Sequence, residues 1–174
     1  MLIFLVGYMG CGKSTLGRHM AQELNYKYID TDTLIEKKYD ATIPQIFVLH
    51  GEDRFREMER EAVQSLDESE NAVVSTGGGL PCHNENIELL NSKGFTIYIE
   101  VPEELLLKRI SKTSSKRPLL AHKTPDEMLD FVKDSLDRRR PYYQQAKMKI
   151  SGGHIQAHDI VQLMNMTLQY SQTV

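Results

Sequence analysis

The chain has 174 residues, of which 26% are charged and 40% hydrophobic, with a net charge of −3. That length suits one soluble domain with a proper core, and the charge balance leaves no broad basic field for nucleic acid. Two cysteines, Cys11 and Cys82, are too few for a zinc cluster or a disulfide framework, and no stretch reaches membrane-spanning length, so a cytoplasmic location is the default expectation. A monomer is expected without a sequence feature that fixes it.

The apolar run Leu2–Val6 reads as a core strand; it lacks the basic start of a signal peptide. Directly behind it stands Gly7-Tyr8-Met9-Gly10-Cys11-Gly12-Lys13-Ser14, a phosphate-binding loop of the form GxxxxGK[ST]. Glycines here let backbone N–H groups turn inward around a β-phosphate at a helix N-terminus. Lys13 would then reach the β and γ oxygens, and the Ser14 hydroxyl would serve a Mg²⁺ ion that bridges them. Leu16, Met20 and Leu24 recur at helical spacing, and Asn25 suits the end of that helix.

Tyr26-Lys27-Tyr28-Ile29 reads as a short strand that delivers Asp30-Thr31-Asp32 to its carboxyl end, the edge where ligands of parallel sheets collect. Thr31 or Asp32 is placed to cap the next helix, which runs through Leu34, Ile35 and Lys38 until Asp40-Ala41-Thr42 breaks it. The following helical stretch has apolar residues at 55, 58, 62 and 66, which leaves Arg56 off the stripe. Glu52 and Arg60 flank Arg56 at helical spacing, as on a solvated charged face. The strand Ala72–Ser75 leads into Thr76-Gly77-Gly78-Gly79. Three consecutive glycines suit close backbone approach to a ligand, or alternatively a flexible strand-to-helix loop.

A helix around 84–91, a strand over 95–101 and a helix opening at Pro102 follow, with Leu105, Leu106 and Ile110 facing inward. Residues 111–123 carry no clear periodicity and read as a mobile surface segment. A helix from Pro125 to Arg138-Arg139-Arg140-Pro141, a strand near 147–150 and a helix over 156–169 come last. Strands alternating with helices give one three-layer α/β/α domain with a parallel sheet.

A phosphate loop alone does not separate transfer from hydrolysis or sensing. The strand Ala72–Ser75 ends without an acidic residue, so Asp30 is the better candidate for the metal, or else a turn or cap residue. Asp32, on the same edge, would align or deprotonate an acceptor hydroxyl for in-line attack, or simply cap its helix. Lys116-Arg117-Pro118 lies where a lid would bring a cation to the transferring phosphate. Three consecutive arginines, Arg138 to Arg140, exceed what a helix C-terminus needs.

In this order GYMGCGKST, YIDTDTLIE, GEDRFREME, STGGG, KRPLL and RRRPYY resemble the shikimate kinases, over roughly residues 3–146. The resemblance implies the P-loop kinase fold, with a five-stranded parallel sheet ordered 2-3-1-4-5 across residues 1–174. It also implies a substrate-binding region over about 32–61 and a lid over about 112–124. The implied reaction moves the γ-phosphoryl group of ATP, with Mg²⁺, to the 3-hydroxyl of shikimate, on the route to chorismate and the aromatic amino acids.

Carried over by matching motif, Gly10, Cys11, Gly12, Lys13, Ser14 and Thr15 would bind ATP, with Ser14 and, through water, Asp30 at the metal. Asp32 would bind shikimate hydroxyls and act as the base. Arg56 and Arg139, the latter in an RxPxY pattern with Pro141 and Tyr143, would hold the shikimate carboxylate. Gly77, Gly78 and Gly79 would line the substrate pocket, Arg117 would close from the lid, and Arg109 would lie near adenine. Asp40 stands where many members carry Gly. The loop Ser151-Gly152-Gly153-His154 departs from the usual adenine loop, so ATP over GTP rests on the resemblance. Two other readings stand beside this one: a different small-molecule or nucleoside monophosphate kinase, and a non-catalytic nucleotide-binding regulatory module.

Overall fold

Continuous apolar sequence with no alternation is what a strand buried on both faces requires, and Leu2–Val6 (β1) is at most 1% exposed at every position. In the computed structural model, which describes residues 1–111 and 124–171, β1 is the central strand. Ala72–Ser75 (β3) pairs with it on one side and Gly94–Glu100 (β4) on the other. Lys27–Asp30 (β2) extends the sheet beyond β3, and Met148–Ser151 (β5) beyond β4. All five strands are parallel, in the expected order β2-β3-β1-β4-β5. The expected lid over 112–124, Arg117 included, falls on 112–123 and so lies outside the described residues.

Helices cross between the strands: Lys13–Leu24 (α1), Thr31–Tyr39 (α2), Ile43–Gln64 (α3), Asn86–Lys93 (α4), Glu103–Ser111 (α5), Pro125–Tyr143 (α6) and Ala157–Ser171 (α7). Among the described residues no helix is long and apolar enough to cross a membrane. The main core wraps the sheet with side chains such as Met20, Leu90, Ile110, Leu136 and Met164. A smaller cluster of Ile35, Ile46, Phe55, Met58 and Ala62 packs α2 against α3. Within α3 the backbone leaves helical geometry at Gly51 (φ 76°, ψ 176°), so the helix is kinked there.

Register decides what reaches the carboxyl edge. Ser75 pairs with both Leu5 and Asp30, so the segments after β1, β2 and β3 leave the sheet side by side. Thr76 marks that exit by donating from its N–H (3.2 Å) and its hydroxyl (3.0 Å) to the carbonyl of Leu5.

Of the residues weighed as caps, it is Asp30, not Thr31 or Asp32, that caps α2: in extended backbone (φ −122°, ψ 122°), its Oδ1 accepts from the N–H groups of Asp32 (3.1 Å) and Thr33 (3.4 Å). The helix begins the moment the strand ends, so the last strand residue is the only one extended enough to cap it.

Both helix ends that were read from Asn25 and Asp40 are left-handed caps, with φ of 55° and 47°. Asn tolerates that conformation well, whereas exposed Asp40 gains nothing from its side chain that would offset the steric cost. Asp40→Gly should therefore stabilise the protein by about 1 kcal/mol, read as a rise of roughly 2–4 °C in thermal unfolding. An unchanged or lower midpoint would mean that the αL penalty at Asp40 is already relieved.

Candidate active site

The phosphate loop joins β1 to α1, and its backbone has the shape that anion binding needs. Gly10 and Gly12 take φ of 79° and 104°, and among the described residues no side chain caps the α1 N-terminus at Gly12. The first-turn N–H groups of Lys13, Ser14 and Thr15 therefore point out of the helix end with a partial positive charge. Lys13 is 8% exposed and folds back on its own loop: Nζ donates to the carbonyls of Gly7 (2.7 Å) and Tyr8 (3.0 Å) and lies 3.6 Å from the Cys11 Sγ. Phosphate oxygens are stronger acceptors than carbonyls and would draw the ammonium away.

Beside the loop, Ser14 Oγ donates to Asp30 Oδ2 at 3.3 Å. Lys13, Ser14, Asp30, Asp32, Gly77 and Gly78 line one cavity of about 350 Å³. Burial pushes the Asp32 carboxyl up to about 6, reinforced by the charge of Asp30 and opposed by Lys13. The two acidic residues read from the sequence thus share one cavity with the lysine and the serine of the phosphate loop.

The glycine loop closes the other wall and is held, not loose. The N–H of Gly77 donates to the buried Thr31 hydroxyl (3.1 Å), and the Gly78 carbonyl accepts from the Tyr143 hydroxyl (2.5 Å). A Cβ on Gly77 would lie 2.8 Å from Asp32 Oδ1, and one on Gly79 would lie 2.8 Å from Arg56 Nη1. Bare Cα atoms are what let these charged groups approach the loop.

Arg56 corrects the reading of a solvated face. Its side chain is 13% exposed, and it pairs with Glu59 (2.8 Å) and Glu52 (2.8 Å). Arg60 turns away to Asn86 Oδ1 at 3.2 Å. The Arg56 Nε is buried and, among the described residues, has no acceptor, leaving a donor in hand for an anion. Glu59 is 1% exposed, and burial raises its carboxyl to about 7 against the pull of Arg56.

Of the three consecutive arginines only Arg139 turns to this site. Its guanidinium lies over the Tyr8 ring, 5.5 Å from the centroid, with Nη1 3.8 Å from where a Cβ of Gly78 would be. Arg138 is exposed, and Arg140 pairs with Glu103 (3.0 Å) and Asp137 (3.2 Å). Arg109 bridges two loops, from the carbonyls of Gly10 (3.4 Å) and Cys11 (3.3 Å) to that of Gly153 (3.1 Å). It lines a second cavity of about 480 Å³ with Gly12, Thr15, His154 and Gln156.

Two residues were not singled out from the sequence. Glu59 shares the buried face of α3 with Phe55, Met58 and Ala62, and a carboxylate inside an apolar stripe was a legible signal. Tyr28 read only as a strand residue, yet its hydroxyl donates to Asp30 Oδ2 at 3.2 Å.

A phosphate loop at the end of the central strand, with paired carboxylates in its cavity and two guanidiniums against the adjoining glycine loop, defines a P-loop phosphotransferase of the small-molecule kinase class. The chain belongs to the shikimate kinase family, whose sequence pattern matches residues 9–169. It is 44% identical over 145 residues to a shikimate kinase of Phocaeicola vulgatus, covering 83% of each chain. The crystal structure of the Bacteroides thetaiotaomicron shikimate kinase superposes with a TM-score of 0.89 at 38% identity, over 97% of this chain and 98% of that one. An Acinetobacter baumannii shikimate kinase in complex with shikimate gives 0.81 at 37% identity, over 98% and 93%.

The raised Asp32 carboxyl has a consequence for stability. A carboxyl held above its ordinary value stabilises the fold while protonated, and that contribution disappears as pH rises from 3.8 through about 6. Asp32→Asn removes the loss, so the ligand-free variant should unfold at a higher temperature than the parent at pH 7.5, and with a smaller advantage at pH 4.5. Equal differences at both pH values, by scanning calorimetry, would mean that the Asp32 carboxyl is not held up.

Proposed function

We infer that the protein phosphorylates shikimate, moving the γ-phosphoryl group of ATP to the 3-hydroxyl. One observation carries the reading: Asp32, Arg139 and Arg56 approach successive glycines of one loop, so a hydroxyl-directed carboxylate and two acid-holding cations gather at the loop whose Gly77 and Gly78 line the phosphate-loop cavity with Asp32. An acceptor with both a hydroxyl and a carboxylate is what that constellation suits.

In this reading the α1 N-terminus and Lys13 hold the β- and γ-phosphates, with Gly10, Cys11, Gly12, Ser14 and Thr15 contributing to the nucleotide site. Asp32, with a carboxyl near 6, is ionised at neutral pH and accepts the proton of the attacking hydroxyl. Arg56 and Arg139 hold the shikimate carboxylate, and Gly77, Gly78 and Gly79 line its pocket. The fit to Mg²⁺ comes from an all-oxygen pair, the Ser14 hydroxyl and the Asp30 carboxylate 3.3 Å apart, which suits a hard dication. When bound, that ion neutralises charge on the β- and γ-phosphates. Arg109 is proposed for the adenine side and Arg117 for phosphate. A monomer remains the expected state, and the need for ATP points to the cytoplasm.

ADP release by the purified protein with Mg²⁺ and ATP should depend on shikimate; release indifferent to shikimate would move the reading to another acceptor. Asp32→Asn should retain nucleotide binding while turnover falls about 10²–10⁴-fold, and unchanged turnover would remove Asp32 from the chemistry. Arg139→Ala should raise the KM for shikimate about 10- to 100-fold, as expected for losing a hydrogen-bonded charge, with little change in the KM for ATP. Parallel loss of both ligands would indicate a damaged fold instead.

A further inference from the structure

The hydroxyl of Tyr28 has no part in the reaction as read so far, but its surroundings fix it with unusual care. Tyr28 stands on the outer strand β2, and its ring enters a hollow on α1 left by Gly17. A Cβ there would lie 2.8 Å from the ring carbon Cε2 and 2.9 Å from the hydroxyl of buried Ser75. On Arg18 the guanidinium carbon lies 5.1 Å from the ring centroid, so the helix that follows the phosphate loop holds the ring in two ways. The phenol oxygen is thereby set 3.2 Å from Asp30 Oδ2.

Asp30 divides its two oxygens between two tasks. Oδ1 is committed to the fold as the cap of α2, accepting from the N–H groups of Asp32 and Thr33. Oδ2 faces the phosphate loop and takes two donors, Ser14 Oγ (3.3 Å) and the Tyr28 hydroxyl (3.2 Å). Beside its O–H the Ser14 hydroxyl keeps two lone pairs, so it can offer one to a cation while still donating to Oδ2. Tyr28 is the second donor to Oδ2, and the one that orients it without itself being a ligand of the cation. A neutral phenol suits the task, because it orients the carboxylate without bringing a positive charge that would repel the cation.

We propose that Tyr28 is a positioning residue of the metal-binding edge, holding the Asp30 carboxylate in the orientation in which it and Ser14 receive a divalent cation. The proposal rests on the assignment of Ser14 and Asp30 to the metal made above. Tyr28→Phe isolates it, since the ring keeps its place against Gly17 and Arg18 and only the hydroxyl is lost.

The test is titration of the purified full chain with Mn²⁺ in the presence of ADP, followed by electron paramagnetic resonance of the free ion. Tyr28→Phe should weaken Mn²⁺ binding about tenfold, at the low end of what such supporting hydrogen bonds contribute. Thermal unfolding of the ligand-free protein should fall by no more than about 2–4 °C, as for the loss of one partly buried hydrogen bond, and a higher Mg²⁺ concentration should restore turnover. Ser14→Ala and Asp30→Asn serve as references, both expected to lose most Mn²⁺ binding. Parent-like Mn²⁺ affinity in Tyr28→Phe, with both references impaired, overturns the proposal and leaves the metal assignment standing. Parent-like affinity in the references removes that assignment and the proposal with it, while the identity of the acceptor is judged separately by shikimate-dependent ADP release.

Discussion

The first turn of α1 presents backbone N–H groups that no helical carbonyl can reach, and it does so directly behind the most buried strand of the sheet. Such a helix end is stable only where water, a cap or an anion answers it. Here no side chain among the described residues caps it, and Lys13, a cation beside it, is turned onto the carbonyls of Gly7 and Tyr8. The neighbouring features follow from that constraint. β1 must be flanked on both sides so that its carboxyl end opens into a pocket, and the order β2-β3-β1-β4-β5 supplies a wall from each flank.

Charge at the site is balanced before any ligand arrives. Glu52 and Glu59 answer Arg56, and the field of Lys13 works against the upward pressure of burial on Asp32. The balance is imperfect where chemistry is expected. The charge of Asp32 raises the proton affinity of Glu59, and the Arg56 Nε keeps a donor without an acceptor among the described residues. A polar site left partly unsatisfied in this way has a standing preference for ligands that complete it.

Much of this was legible in the sequence, for identifiable physical reasons. The phosphate loop is written in contiguous residues, and the inner strands β1, β3 and β4 in short runs rich in apolar and β-branched residues. Asn25 and Asp40 mark helix ends because few other residues accept left-handed backbone. Misreadings arose where a residue's neighbours are distant in the chain. Helical spacing gave Arg56 its partners along α3 but not the glycine loop against which that face lies. Thr31 and Asp32 looked like caps because the sequence does not say that the strand runs right up to Asp30. The strand order itself came from family resemblance, since βα repeats alone permit several.

The glycine loop also acts as a ruler. Thr31 pins it from α2 and Tyr143 from α6, so its peptide units cannot slide. Asp32 meets the loop at Gly77, Arg139 at Gly78 and Arg56 at Gly79. The distance between the proposed proton acceptor and the proposed carboxylate clamps is thus counted in consecutive Cα atoms about 3.8 Å apart. A compact ring that carries its acid and its hydroxyl a few bonds apart spans such a gauge, whereas a longer hydroxy acid would have to fold back on itself to touch both marks.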